Sequence, residues 1–358
     1  MKVLKLLSVG VLALMGAGCN LVVLSPQGDV AAQQGQLIIY ATVLMLIVIV
    51  PVMALTVFFA WKYRASNKDA TYEPDWDHSI SLEIVVWSVP LAIIICLAGL
   101  TWVATHRLDP YEPLRRISAE QPMPADVEPM VIQVTSLDWK WLFIYPEQGV
   151  ASVNEAAVIV DRPVEFQLTS NTVMNSFYIP AMAGQIYAMA GMQTELNAVL
   201  NEPGDYEGFS ANYSGNGFNQ MRFTMHAFDE GGFDAWVAKV SSQGKTLDRT
   251  AFVALEEASI AHPVTYFSSI ETGLWDRIVN MCVGRGKLCQ HDMMMVDAMG
   301  GGGLAGLTNR YAFAGMCEVD DPATRVAALR ATLARGGPRT QVSLLTPGPD
   351  ASAARGAN

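Results

Sequence analysis

Two uninterrupted apolar runs constrain the chain before anything else. Leu37–Ala60 covers 24 residues without a charge, and Ile84–Thr105 covers 22. Each exceeds the ~20 residues that an α-helix needs to cross a bilayer core. Pro51 and Pro90 stand inside them, which membrane helices tolerate because neighbouring groups satisfy the freed backbone. Trp61, Tyr63, Trp87 and Trp102 lie near the ends, where interfacial aromatics gather. The expected unit is a transmembrane hairpin, with 37–61 and 84–105 as spans and 62–83 as the loop between them. Lys62, Arg64 and Lys68 fall in or beside that loop, whereas Asn20–Gln36 holds no Lys or Arg. The excess of positive charge puts the loop in the cytoplasm, so the segment 19–36 and everything after Thr105 face outward.

Composition agrees with a chain that lives partly in lipid. Only 16% of the 358 residues are charged, against roughly 25% in soluble domains. With 51% hydrophobic residues the chain has enough apolar surface for a core, which excludes disorder as its main theme. Lys plus Arg is 23 and Asp plus Glu is 34, a net charge of −11, so nothing attracts it to a phosphate backbone and nucleic-acid binding is excluded. Five cysteines are too sparse for a disulfide scaffold. The amino terminus reads as an address. Lys2 and Lys5 precede the short apolar run Leu6–Met15, then Gly16, Ala17, Gly18 and Cys19, the layout of a secretory signal peptide over 1–18. Small residues ending in cysteine resemble a bacterial lipobox, with Gly16 where leucine is usual, which makes Cys19 the expected lipidated first residue. An ordinary signal peptide or an uncleaved anchor is the alternative.

After a linker over 106–127 the pattern turns to strands. Met130–Leu137 alternates in part, and Ala156–Val160, Val164–Thr169 and Met192–Leu200 read as further strands, punctuated by Asp161-Arg162-Pro163, Gly191 and Asn201-Glu202-Pro203-Gly204. Short strands at this spacing argue for a sandwich or small barrel over 128–242. Glu230–Ser242 has helical spacing, as do Leu247–Ser259 and Gly273–Val283 in an aromatic-rich extension over 243–295; 296–358 reads as a flexible tail.

The order of signal, two-span hairpin and outward β domain resembles subunit II of the haem–copper terminal oxidases. Phe59–Asp69 closes the first span, Glu83–Pro90 opens the second, and Leu137–Gly149, Val173–Pro180 and Gln185–Gln193 follow. These stretches look like the bo-type ubiquinol oxidase branch in particular. The resemblance covers residues 10–285. It implies a membrane α hairpin followed by a cupredoxin-like Greek-key β-sandwich with a helical C-terminal extension. It also implies a bacterial inner-membrane complex, respiratory and proton-translocating, in which haems and copper sit on subunit I. Smaller membrane subunits would be further partners, and ubiquinol the substrate of the complex.

What the chain lacks bears on that branch. The cytochrome c oxidase relatives hold a two-copper centre in the sandwich, built from two thiolates, two imidazoles and a thioether, because soft thiolates bridge copper and imidazoles hold its ends. Here Asn175 stands at the first histidine position, Phe209 and Tyr213 at the two cysteines, Ala211 at the intervening glutamate and Phe218 near the second histidine; Met221 alone is retained. No cysteine lies between Cys96 and Cys282. No metal and no cofactor are therefore expected on this chain, and its aromatics are expected to fill the former pocket as core. Trp139 and Trp141, at the positions through which electrons enter the copper-bearing relatives, are expected to pack on one face of a strand.

The remaining residues each carry two readings. Glu83 at the cytoplasmic mouth of the second span matches the acid at the mouth of a proton pathway in the family, or is a helix-start carboxylate favoured by the dipole. Cys282 and Cys289 form a disulfide in an oxidising compartment, or with His291 and Met293–Met295 are soft residues that catch copper or are incidental to a flexible tail. No catalytic residue is expected on the chain. The alternatives to an oxidase subunit of this branch are a membrane-anchored scaffold or assembly lipoprotein and a copper-bearing cytochrome c oxidase subunit.

Overall fold

The structure is a computed structural model that describes residues 21–298, apart from 72, 125–126, 285–286 and 288. The expected lipidation site Cys19 and the tail beyond residue 298 lie outside the described residues.

Both apolar runs are helical, as α1 (Asp29–Lys62) and α2 (Ile80–Arg107). Pro51 and Pro90 are accommodated inside them. The apolar windows of both helices are wholly uncovered within the chain, so neither is the buried core helix of a soluble domain. Ile47, Val57, Trp87 and Trp102 all point outward, a surface that lipid or other helices must cover. Asp29 in the first turn of α1 and Lys62 in its last complement the helix dipole. The helix starts eight residues ahead of the apolar run, because its polar first turns dock on the outward domain. The N–H groups of Gln27 and Gly28 donate to Ala181 O, both at 2.9 Å, and Ala31 N–H donates to Met182 O at 3.3 Å. A Cβ on Gly28 would lie 2.3 Å from Val199 O and 2.7 Å from Met182 O, so no other residue fits that approach.

The outward domain is a two-sheet sandwich. β1 (Met130–Leu137), β2 (Lys140–Tyr145), β3 (Val150–Val153), β4 (Glu155–Ile159), β5 (Val164–Ser170), β6 (Asn175–Tyr178), β7 (Ile186–Ala188), β8 (Thr194–Ala198), β9 (Gly204–Ser210) and β10 (Arg222–Phe228) precede helix α3 (Glu230–Ser241). One sheet runs β3-β2-β1-β5-β8 and the other β4-β10-β9-β6-β7. β1 pairs parallel with β5, setting Ile132 opposite Phe166 and Val134 opposite Leu168. Those four side chains are fully buried and face the other sheet's Phe177 and Phe223 across the core. Asp229 caps α3 by accepting from Gly232 N–H at 2.7 Å.

The segment after α3 adds β11 (Thr246–Leu247), α4 (Arg249–Glu256), β12 (Thr265–Phe267), β13 (Ser269–Ile270) and α5 (Leu274–Val279). β12 joins the first sheet antiparallel to β3, with Tyr266 opposite Ser152. Leu247, Phe252, Leu274 and Ile278 form a second core with Leu142, Ile144, Ala151 and Val153. The extension therefore covers the outer face of β2 and β3, and every residue of both strands is buried. The described helix α6 (Gln290–Ala298) belongs to a second unit that begins at Gly284.

Candidate functional site

The positions that carry copper in the resembling family gather at one end of the sandwich. Asn175 opens β6, Phe209 and Ser210 end β9, and the loop 211–220 leads through Met221 into β10. Asn175 is fully buried and both ends of its amide are used. Nδ2 donates to Ser136 Oγ at 3.3 Å and to Val173 O at 3.2 Å. Oδ1 accepts from Ser210 Oγ at 3.0 Å. Ser210 N–H donates to Met221 O at 3.1 Å and Ala211 N–H to Ser176 O at 2.9 Å. The place is taken by a closed hydrogen-bond network between sheets rather than by donors aimed at an ion.

The aromatic residues do not fill that pocket, contrary to expectation. Tyr213 is 76% exposed and meets only the edge of Phe218, with ring centroids 5.6 Å apart. Phe209 is half-buried on the outer side of β9, edge-on to Tyr178 at 5.4 Å and under the Arg222 guanidinium at 5.6 Å. Ala211 is exposed. The reason lies in strand alternation: Ser210, between Phe209 and Ala211, takes the inward position. The core is filled instead by Trp141, Phe143, Phe166, Phe177 and Phe223.

The two tryptophans also separate. Trp139 lies in the β1–β2 turn with φ of +65°, unusual for a bulky residue. Its indole N–H donates to Ser214 O at 3.0 Å. Trp141 is buried in the core, edge-on to Phe177 at 5.3 Å. The indoles share no strand face, because the turn ends β1 before Trp139. The 211–220 loop wraps Trp139 so closely that a Cβ on Gly217 would sit 2.4 Å from its ring. Gly217→Ala is expected to cost about 1–3 kcal/mol, the usual range for overpacking, and to shift the tryptophan emission as Trp139 loses its loop; an unchanged spectrum and denaturation midpoint would contradict this packing.

The donor chemistry at this end does not fit a two-copper centre. An amide and aromatic rings stand at the positions of the thiolates and imidazoles that such a centre needs, only the thioether of Met221 remains, and the amide is spent on protein partners. Among the described residues no three of His, Cys, Asp and Glu lie close enough to hold an ion.

At the other end of the hairpin, Glu83 sits in the first turn of α2. Its Oε1 lies 2.7 Å from His78 Nδ1, and both side chains are more than half exposed. The sequence marks His78 only as a flank of the span; its approach to Glu83 depends on the turn that opens the helix. His106 is at the far end of α2, its Nδ1 2.8 Å from Trp102 O.

A further cluster escaped sequence reasoning. The Glu155 carboxylate, only 13% exposed, accepts from Trp236 Nε1 at 2.9 Å and from Tyr266 OH at 2.7 Å. Lys239 Nζ lies 3.6 Å away and His226 Nε2 3.7 Å. His226 Nδ1 meets Asp205 Oδ1 at 2.6 Å. Burial opposes ionisation of Glu155, but the nearby His226 ring and the hydrogen bonds from Trp236 and Tyr266 prevail and hold its pKa at about 2. Glu155 and then Asp205 raise the His226 pKa against its own burial. Nearby, Lys140 is buried and donates to Asp138 O at 3.2 Å and Glu257 O at 2.8 Å; burial lowers its pKa. Both sets of contacts pin the extension to the sandwich. Cys282 and Cys289 are buried and each is in disulfide form, whereas Cys96 on α2 is a free thiol.

Known proteins resemble this chain over most of its length. A family profile described as the COX Aromatic Rich Motif matches residues 242–286, the segment that covers β2 and β3. Cytochrome bo(3) ubiquinol oxidase subunit 2 of Pseudomonas aeruginosa is 51% identical over 276 residues, 77% of this chain and 80% of that one. Ubiquinol oxidase subunit 2 of Acetobacter aceti is 49% identical over 267 residues, 75% of this chain and 84% of that one. The crystal structure of the periplasmic domain of subunit II of cytochrome oxidase of Bradyrhizobium japonicum aligns with a TM-score of 0.30 at 24% identity, over 33% of this chain and 94% of that one. At 51% and 49% identity to those two subunits, over about three quarters of its length, the chain belongs to the family of subunit 2 of the bo(3)-type ubiquinol oxidases.

Proposed function

We propose that this chain serves a quinol-oxidising complex without carrying a redox centre itself. Its hairpin binds a haem- and copper-bearing subunit I and smaller membrane subunits, and its sandwich caps them on the periplasmic side of a bacterial inner membrane. Two ubiquinols release four electrons and four protons, and one dioxygen takes up four of each to become two waters. The observation that carries this reading is the Asn175 amide, bonded at both ends to Ser136, Val173 and Ser210. A domain so closed gives a soluble cytochrome no copper to reduce, which favours a lipid-soluble donor oxidised within the membrane by another chain.

Three finer roles belong to the same proposal. Cys19 carries the lipid of a mature amino terminus. Cys282 and Cys289 pair with each other, which mass mapping under non-reducing conditions would test. Glu83, with His78, collects protons from the cytoplasm for a pathway that continues in subunit I; an ionisable group at a membrane boundary suits that work. Glu83→Gln is expected to leave assembly and haem content unchanged while lowering turnover and proton release severalfold. Equal turnover and proton release in the variant would leave Glu83 as a helix-start carboxylate. The assembly itself is tested by gentle purification through a tag on this chain. Haem absorbance in stoichiometric yield is the expected result; a haem-free preparation would favour the scaffold reading.

A further inference from the structure

A cavity of about 380 Å³ opens where the hairpin meets the sandwich. Its walls are the start of α1, the end of α2 with the following linker, and the Gly184–Gln185 and Leu196–Asn197 segments of the β domain. Its depth relative to a membrane follows from the helices. Gln33 and Gln34 precede the first apolar residue, Leu37, by three to four positions, about 4–6 Å at ~1.5 Å per residue. Arg107 follows the second apolar run by two positions. A bilayer of about 40–45 Å with a ~30 Å hydrocarbon core leaves roughly 5–8 Å per side for headgroups. The cavity floor is therefore at headgroup level on the outward side.

The charges around it are mixed. Asp29 is spent, since its Oδ2 accepts from Arg116 Nε and from Gln33 Nε2, both at 2.8 Å. Arg115 and Glu112 approach only to 3.9 Å and both are exposed. Arg107 has no ion-pair partner among the described residues. Among the described residues the Asp109 carboxylate accepts only a backbone N–H, from Tyr111 at 3.0 Å. Arg107, Asp109 and the loosely paired Arg115 and Glu112 thus line the cavity with two guanidinium groups and two carboxylates. A guanidinium recognises phosphate through charge-assisted bonds, and carboxylates a short reach away accept from an ammonium.

We infer that this cavity binds the headgroup of a zwitterionic phospholipid of the outer leaflet, its phosphodiester on Arg107 and Arg115 and its amine toward Asp109 and Glu112. The lipid fixes the angle between hairpin and sandwich by filling the gap between them. This rests on the hairpin's crossing a membrane; a chain that fractionates as soluble would fail that reading, whereas the outcomes below fail only this one.

The test is native mass spectrometry of the full-length chain in detergent, with phosphatidylethanolamine, phosphatidylglycerol and inorganic phosphate added in turn. The unmodified chain is expected to retain one phosphatidylethanolamine and to hold phosphatidylglycerol more weakly. The paired change Arg107→Gln with Arg115→Gln should weaken retention at least tenfold, given the usual strength of bonds to charged groups. Arg107→Lys should keep most of it, which separates lost recognition from lost folding, and Lys62→Gln at the opposite end of α1 should change nothing. Equal retention in the paired variant would overturn the inference. So would equal or tighter retention of phosphatidylglycerol, or displacement of lipid by millimolar inorganic phosphate, which would mark a site for free anions.

Discussion

Phe177→Ala is expected to remove most of the stability of the outward domain. Phe177 is fully buried and meets four other rings, stacking on Phe223 at 5.2 Å and touching Trp141, Phe143 and Phe166 at 5.3–6.3 Å. Truncating a buried Phe costs about 3–5 kcal/mol through lost transfer energy and the cavity left behind. Domains typically have only about 5–15 kcal/mol in total. Phe209→Ala, on the outer side of β9, should cost under about 1 kcal/mol. Urea unfolding of the full-length chain in mild detergent, followed by tryptophan fluorescence, separates the two. Equal losses would mean that Phe209 does fill the former copper pocket, and that the outward placement of Phe209 and Tyr213 is wrong.

Glu155→Ala is expected to release the extension from the sandwich. The substitution strands Trp236 Nε1 and Tyr266 OH without their acceptor and leaves Lys239 and His226 without their shared anion. Each buried donor left without an acceptor costs about 1–3 kcal/mol. Hydrogen exchange should rise first at β12, which Tyr266 anchors. Exchange unchanged at residues 265–267 would show that the apolar contacts of Phe252, Leu274 and Ile278 hold the extension alone. Glu155→Gln retains a carbonyl acceptor and should cost less. The same cluster sets a pH window. The Glu155 carboxylate titrates at about 2 when folded against 4.5 ordinarily, so its contribution is complete above pH 4.5 and fades as pH falls toward 2. The His226 pKa is raised above 6.5, so its contribution is complete below that value and is lost as pH rises through the raised pKa. The joint should therefore hold best in mildly acidic solution and loosen on both sides.

The sequence made some elements legible and concealed others for physical reasons. The spans were plain because lipid demands long charge-free runs. β1 was plain because one of its faces is polar enough to alternate, as Gln133 does between Ile132 and Val134. β2 was not: after Lys140 it reads as a continuous apolar run, Trp141–Tyr145, because the extension covers its second face. The sequence shows where the apolar run of α1 begins but not that the helix extends back to Asp29, because its docking on Ala181 and Met182 is a long-range contact. At the candidate site, Asn175, Phe209, Ala211, Tyr213, Phe218 and Met221 lie at strand ends and in the 211–220 loop, and the resemblance named them as positions only. It did not say which way they point; the inward place belongs to Ser210, and the amide of Asn175 finds its partners on strands β1 and β9. The Glu155 cluster was hidden because Asp205, His226, Trp236 and Tyr266 come from four elements far apart in the chain.

In the proposed function this chain serves a quinol-oxidising complex and offers no copper to a soluble donor. Oxygen uptake by the complex purified through a tag on this chain tests it most directly, with a short-chain ubiquinol and reduced cytochrome c supplied separately. Cyanide-sensitive uptake with the quinol and none with cytochrome c is the predicted result. Uptake sustained by cytochrome c would contradict it, and would mean that electrons enter through the end of the sandwich that Asn175, Ser136 and Ser210 close.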